Sequence, residues 1–201
     1  MVIAADLIAM PVGRWQVTRG HVSAVGRVSE PKFRAVLPGS DGESAEVKFT
    51  YLGPSDVEQP LASGLPRRQV GLKLRAADGC NLVYVMWRVY PENKIVVSLK
   101  SNPGKHTHVQ CGNEGYRNYK ARGGVQPSSM EVGSTHRLLA AISGSTVKVW
   151  ADGALAWEGE LDGDALSLHG PAGVRSDNVK VDLSLSARPG SYPQGGIDGE
   201  D

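Results

Sequence analysis

The sequence predicts an all-β domain, a sandwich or a barrel. Three observations carry this. Apolar and polar residues alternate with a period of two in one strand-length segment after another. Turn chemistry (PGSDG, LGPSD, AADG, YPEN, SNPG, ISGS, ADG and LDGD) separates those segments, in a chain with 25 Gly and 12 Pro. No stretch sustains an apolar stripe of helical period over the roughly ten residues a helix needs.

The elements follow in order. GRWQVTRG places Trp15 and Val17 on one face. KFRAVL and AEVKFTYL come next, with Val47, Phe49 and Tyr51 in step. QVGLKLRA aligns Val70, Leu72 and Leu74, and KIVVSLK aligns Ile95, Val97 and Leu99. NLVYVMWRVY is apolar on both faces and reads as a central strand. THRLLAAIS, TVKVWADG, ALAWEGEL and NVKVDLSLS complete the set, and Trp87 and Trp150 are expected between the sheets. The Asp-Gly pairs of ADGCN and ADGAL predict hairpins. Two loops, 53–68 and 112–133, are long enough to be either functional or disordered. The Gly/Pro-rich segment 188–201 is expected to be a flexible tail behind one domain spanning 1–187.

Composition narrows the classes. Lys plus Arg number 22 against 21 Asp plus Glu, so no overall charge points to nucleic acid or an anionic membrane. The apolar start, MVIAADLIAM, is short, lacks a basic flank and is interrupted by Asp6, so it reads as neither a signal peptide nor a membrane span. Cys80 and Cys111 make no disulfide framework. They would pair only if their strands were neighbours, and two free thiols in a reducing compartment are the expectation, which reads the chain as cytoplasmic.

A family resemblance extends this reading. HRLLAAISGSTVKVWADGALAWEGE resembles the late strands of the concanavalin-A-like (laminin-G-like) jelly rolls. GPAGVRSDNVKVDLSLS is similar to their closing strands, and VGLKLRAADGCNLVYVMWRV to their central hairpin; together these cover roughly residues 68–187. The resemblance implies a jelly-roll sandwich of two antiparallel sheets, one concave, with a glycan as the ligand across the concave face. That superfamily holds lectins, hydrolases, lyases and interaction domains, so the fold does not choose among them.

Strand parity nominates a site. If Leu72, Leu74, Val83, Val85, Trp87, Ile95, Val97 and Leu99 face the core, then Lys73, Arg75, Tyr84, Met86, Arg88, Val96, Ser98 and Lys100 share the other face. Should KHTHVQC continue as the next strand, His106, His108 and Gln110 join them. The long loop would bring Tyr116, Arg117, Tyr119 and Lys120 to the edge. The candidate ligand-binding set is therefore Arg75, Tyr84, Arg88, His106, His108, Gln110, Tyr116 and Arg117. Aromatic rings stack on sugars, while Arg, His and Gln bond hydroxyls or carboxylates. The plainer alternative is a solvated sheet face.

Enzyme readings meet obstacles. A lyase acting on an acidic sugar would use Arg75 or Arg88 with Gln110 on the uronate, and His106, His108, Tyr84 or Tyr116 as base. The alginate-lyase jelly rolls carry Gln-x-His and Tyr-x-Lys-x-Gly-x-Tyr; here the segments read His-Val-Gln and YRNYKARGG, so no catalytic residue carries over. Glucanase-type Glu-x-Asp-x-x-Glu is absent, and Glu158, Glu160, Asp162 and Asp164 read as a solvated hairpin edge. His106-x-His108 lacks a third imidazole, so neither a metal nor another cofactor is expected. Asp152, Asp162, Asp164, Asp177 and Asn178 are read as hydrated turn residues. The reading is a glycan-binding protein, with a polysaccharide lyase and a protein-interaction domain as alternatives.

Overall fold

The computed structural model describes residues 6–190. Fourteen strands follow among the described residues. They are β1 (Ile8–Met10), β2 (Gln16–Arg19), β3 (Arg27–Val28), β4 (Lys32–Leu37), β5 (Ser40–Pro54), β6 (Arg68–Leu74) and β7 (Leu82–Tyr90). The second half adds β8 (Lys94–Lys100), β9 (Tyr116–Asn118), β10 (Thr135–Ser143), β11 (Thr146–Ala151), β12 (Ala154–Glu160), β13 (Ala172–Asp177) and β14 (Val179–Pro189). They build two seven-stranded antiparallel sheets. The first runs β1-β14-β5-β10-β11-β12, with β3 also on β14; the second runs β2-β4-β13-β6-β7-β8-β9. The chain passes between the sheets at every step from β1 to β6, and again at β9 to β10, β12 to β13 and β13 to β14, a winding of the jelly-roll kind.

Alternation places the core. Val47, Phe49, Leu138, Ala140 and Leu185 of the first sheet meet Leu72, Leu74, Val83, Val85, Trp87, Val97 and Leu99 of the second, all fully buried or nearly so. Phe49 meets Trp87 edge-on, with ring centroids 5.9 Å apart. The parity of β6, β7 and β8 is as the alternation predicts, so Tyr84, Met86, Arg88, Ser98 and Lys100 lie on the outer face of the second sheet.

Several expectations are corrected. Trp150 pairs with Leu139 and is only half-buried; Val147, Val149 and Ala151 of its strand point inward, so Trp150 points out. Trp157 fills the core instead, opposite Val149. Trp15 is buried and donates from Nε1 to the Met10 carbonyl (2.6 Å), but Val17, on the edge strand β2 next to a register shift, is exposed. The KHTHVQC segment is not a strand. It ends in a single helical turn, α1 (His108–Cys111), because Thr107 and Gln110 form a capping box. Gln110 Oε1 accepts from the backbone N–H of His106 (2.7 Å) and Thr107 (3.0 Å). This turn folds over the β6–β7 connection and brings Cys111 to Cys80 as a disulfide, overturning the free-thiol expectation. At the C-terminal end, β14 runs two residues past the expected boundary: Pro189 pairs with Ser40, and Arg188 forms an ion pair with Asp41. The remainder of the expected tail, from residue 191, lies outside the described residues.

Candidate functional site

The outer face of the second sheet carries a groove of about 560 Å³. Its floor is built strand by strand: Arg34 from β4, Arg175 from β13, Gln69 from β6, Tyr84, Met86 and Arg88 from β7, and Ser98 and Lys100 from β8. Tyr116 and Asn118 of β9, with His108 and Asn113 beside it, form one wall. Residues 60–63 and Arg67 of the β5–β6 loop form the other, and Arg19 and Lys32 stand at the rim. Seven of the lining side chains are Lys or Arg, and none is a carboxylate.

One buried acid organises the floor. Asp177 is fully buried and accepts from Arg34 (2.8 Å), Arg175 Nε (2.8 Å) and Gln69 Nε2 (2.7 Å). Desolvation alone would raise its carboxyl, but the Arg175 and Arg34 charges outweigh it and hold the group far below the usual carboxylate range. Arg175 is likewise desolvated, yet Asp177 keeps it charged, with its value raised. Its guanidinium lies 4.7 Å from the centre of the Tyr84 ring. Tyr84 stacks on Tyr116 with centroids 6.1 Å apart, and Lys100 Nζ lies 5.3 Å from the Tyr116 ring while donating to the Gly79 carbonyl (3.0 Å).

Asn178 fixes the loop wall. It is fully buried with φ of 55°, a left-handed conformation that Asn tolerates. Its amide nitrogen donates to the carbonyls of Gln59 (2.8 Å) and Arg67 (3.0 Å), and its oxygen accepts from Gln59 N (2.7 Å). β13 thus supplies the floor's counter-charge and, one residue later, the anchor for the wall.

Of the sequence-nominated residues, Tyr84, Arg88, His108 and Tyr116 come together in the groove. The other four do not. Arg75 follows β6 with φ of 46° and is clamped by Glu43 through two bonds (2.9 and 2.8 Å) at the far end of the strand. His106 bonds Asp78 through Nδ1 (2.8 Å), Gln110 serves the α1 cap, and Arg117, next to Tyr116 and therefore on the opposite face of β9, pairs with Asp162 and Asp164. The parity argument failed for this segment because α1 breaks the alternation. The sequence did signal it, as Thr-x-x-Gln. Sequence reasoning also missed Arg34, Arg67, Gln69 and Arg175. For Arg34 and Arg175 the signal was polar residues at period two inside apolar strands, in KFRAV and GVRSD.

Other constellations resolve to structure. Ser134 Oγ lies 2.6 Å from His136 Nε2, and His136 Nδ1 lies 2.7 Å from Asp152, which has the order of a nucleophile triad. However, His136 is buried against Phe49 and Trp87, Ser134 Oγ also bonds the Glu131 carbonyl, and the N–H groups of Gly133 and Ser134 are both engaged by carbonyls. Neither of those two N–H groups is left as an oxyanion donor, and the trio ties β10 to the β11–β12 turn. In the acidic run, Asp162 caps the short helix α2 (Gly163–Leu166) and accepts from Tyr119 (3.0 Å), while Glu160 accepts from Ser145 and Thr146. These carboxylates are spent on local bonds.

No protein-family model matches the sequence, and a comparison with curated proteins finds no match. Solved structures do match in shape. The carbohydrate-binding module CBM66 from Bacillus subtilis superposes with a TM-score of 0.57 at 13% identity, over 85% of this chain and 91% of that one. The Crh5 transglycosylase in complex with NAG gives 0.52 at 13% identity, over 94% and 86%. The metal-free carbohydrate recognition domain of Emp46p gives 0.50 at 11% identity, over 90% of each chain. At these identities the likeness establishes the fold and nothing finer.

Proposed function

We propose that this concanavalin-A-like jelly roll binds carbohydrate, and that the groove on the outer face of its second sheet receives the ligand. One observation carries the reading: Tyr84 and Tyr116 stack inside a pre-formed groove beside Arg175, Lys100 and Ser98. An aromatic wall takes the apolar face of a sugar ring, and fixed donors take its hydroxyls. The carbohydrate-binding module and the carbohydrate recognition domain among the fold neighbours lend support. A glycan array probed with the full chain tests it, followed by titration of the best saccharide against Tyr116→Ala. Loss of the stacking ring should weaken binding about three- to tenfold. Absence of binding to any saccharide would end the reading.

A second reading is cleavage of a bound uronate by β-elimination, and Tyr116 favours it. Desolvation pushes its phenol up, but the Arg175 and Lys100 charges and the Arg175 hydrogen bond (3.4 Å) outweigh that, and the net is below the usual tyrosine value. Acting as the base, the Tyr116 oxygen would take the C5 proton, the electron pair would form the C4–C5 double bond, and the C4 oxygen would leave with the broken glycosidic bond. Ultraviolet absorbance of the unsaturated product, followed on a polyuronate, checks it. A flat trace leaves a binding protein.

The Cys80–Cys111 disulfide bears on location. Such bonds persist in oxidising compartments, so we place the chain there rather than in the cytoplasm.

A further inference from the structure

We infer that the groove selects an acidic glycan, and that Arg67 and Arg88 form the fork that holds its anionic group. This rests on the carbohydrate reading above and gives that site its ligand class.

Charge balance supplies the first argument. The lining holds seven Lys or Arg and no Asp or Glu, although the chain as a whole is nearly neutral, with a formal net charge of +1. The cations are concentrated on one face. Asp177 beneath the floor offsets one of these charges, shared between Arg34 and Arg175, and with Gln69 also on its oxygens it makes no bond to the other five cations.

The second argument concerns two particular guanidinium groups. Arg88 is only 9% exposed, and its Nε is buried without a hydrogen-bond partner. Arg67 Nε is in the same condition. Neither guanidinium makes an ion pair or a hydrogen bond among the described residues. Burial is the main force against the charge on each; the Arg67 charge adds to it at Arg88 and the Arg175 charge at Arg67, against smaller opposing pulls from Glu92 and Asp177. Buried donors left unpaired are costly, and like charges held close add to the cost. The fold nevertheless holds them there: Arg88 by its place on β7, paired with Gln69 and Lys94, and Arg67 by the Asn178 bond to its carbonyl. Both side chains line the groove, so an anion bound there against them would offset their mutual repulsion.

The third argument is geometric. Planar guanidinium groups bind carboxylate or sulfate through paired N–H bonds. Tyr116, exposed on the same groove and backed by the buried Tyr84, would stack the ring carrying that anion. A uronic acid and a sulfated sugar share this chemistry: an anionic group projecting from a flat, partly apolar ring.

The test is calorimetric titration of the full chain with three ligands: an oligogalacturonate, its methyl-esterified form, and a sulfated heparin-derived oligosaccharide of equal length. The first should bind at least tenfold more tightly than its ester, and that preference should shrink as salt rises. Arg88→Gln and Arg67→Gln should each weaken the acidic ligand by about tenfold or more, with melting temperature reported to exclude misfolding. Arg117→Gln, a surface cation outside the groove, should leave the affinity unchanged. Preference between carboxylated and sulfated ligands identifies the source of the anion. Equal, salt-insensitive binding of the ester and the acid would overturn the inference while leaving the carbohydrate reading standing. Failure of every saccharide would take both. Binding of poly-glutamate as tightly as the acidic sugar would also overturn it, since the anion alone would then suffice.

Discussion

Arg175 and Asp177 lie two residues apart on one face of β13, joined by a 2.8 Å bond from Nε to Oδ2, with the carboxylate fully buried. Arg34 reaches the same carboxylate from the neighbouring strand β4. The groove floor therefore rests on one negative charge shared between two guanidinium groups.

Asp177→Asn should destabilise the fold by about 3–5 kcal/mol at neutral pH, because it leaves two buried guanidinium groups without a counter-charge. The pH dependence has a definite sign. The folded-state value of Asp177 is depressed, so its contribution is fully present above the ordinary carboxylate range and is lost as pH falls below it. Denaturant unfolding of the wild type and the variant should show a gap at pH 7 that narrows at pH 3. A gap of equal size at both would contradict the assignment.

Asn178→Ala should cost about 2–4 kcal/mol, from three lost side-chain bonds and a left-handed backbone that Ala tolerates less well. Hydrogen exchange should accelerate at residues 59–67 before it does elsewhere. Unchanged protection there would mean that the wall is held by other contacts.

Trp87→Ala should cost about 3–5 kcal/mol, as core truncations do, while Trp150→Ala should cost under about 1 kcal/mol. The contrast separates the two tryptophans. Equal effects would contradict the parity of β11.

The Cys80–Cys111 bond closes a loop with a sequence separation of 31. Replacing both residues with Ser should destabilise by about 2–4 kcal/mol. Native, non-reduced protein should present no alkylatable thiol in mass spectrometry, and two modified cysteines would contradict the pairing.

Much of the fold could be read from the sequence, because a sandwich is written in alternation and turn chemistry. The residues from Leu72 to Leu99 that alternation turned inward are inward, and ADGAL makes its hairpin with Asp152 and Gly153 both at positive φ. Four of the eight nominated residues line the groove, Tyr84 and Arg88 among them because they inherit their direction from β7. What failed lay where local hydrogen bonding overrides the period of two. The Thr107–Gln110 box turns a would-be strand into α1 and removes His106 and Gln110 from the site. The positive φ at Arg75 ends β6 and sends that side chain to Glu43. The floor residues Arg34, Arg175 and Asp177 come from strands distant in sequence, 34 and 175 being cross-strand partners, and only the pairing of β4 with β13 reveals them as one cluster.

The groove's role as the sugar site is tested most directly by amide chemical-shift mapping of the labelled full chain, titrated with the saccharide that the array selects. The account predicts shifts concentrated on β7, β8 and β9, at Tyr84, Ser98, Tyr116 and Asn118, and on the loop at 60–67. Shifts confined to the second cleft beside Lys94, Arg122 and Gln126, or to the outer face of the first sheet, would contradict it.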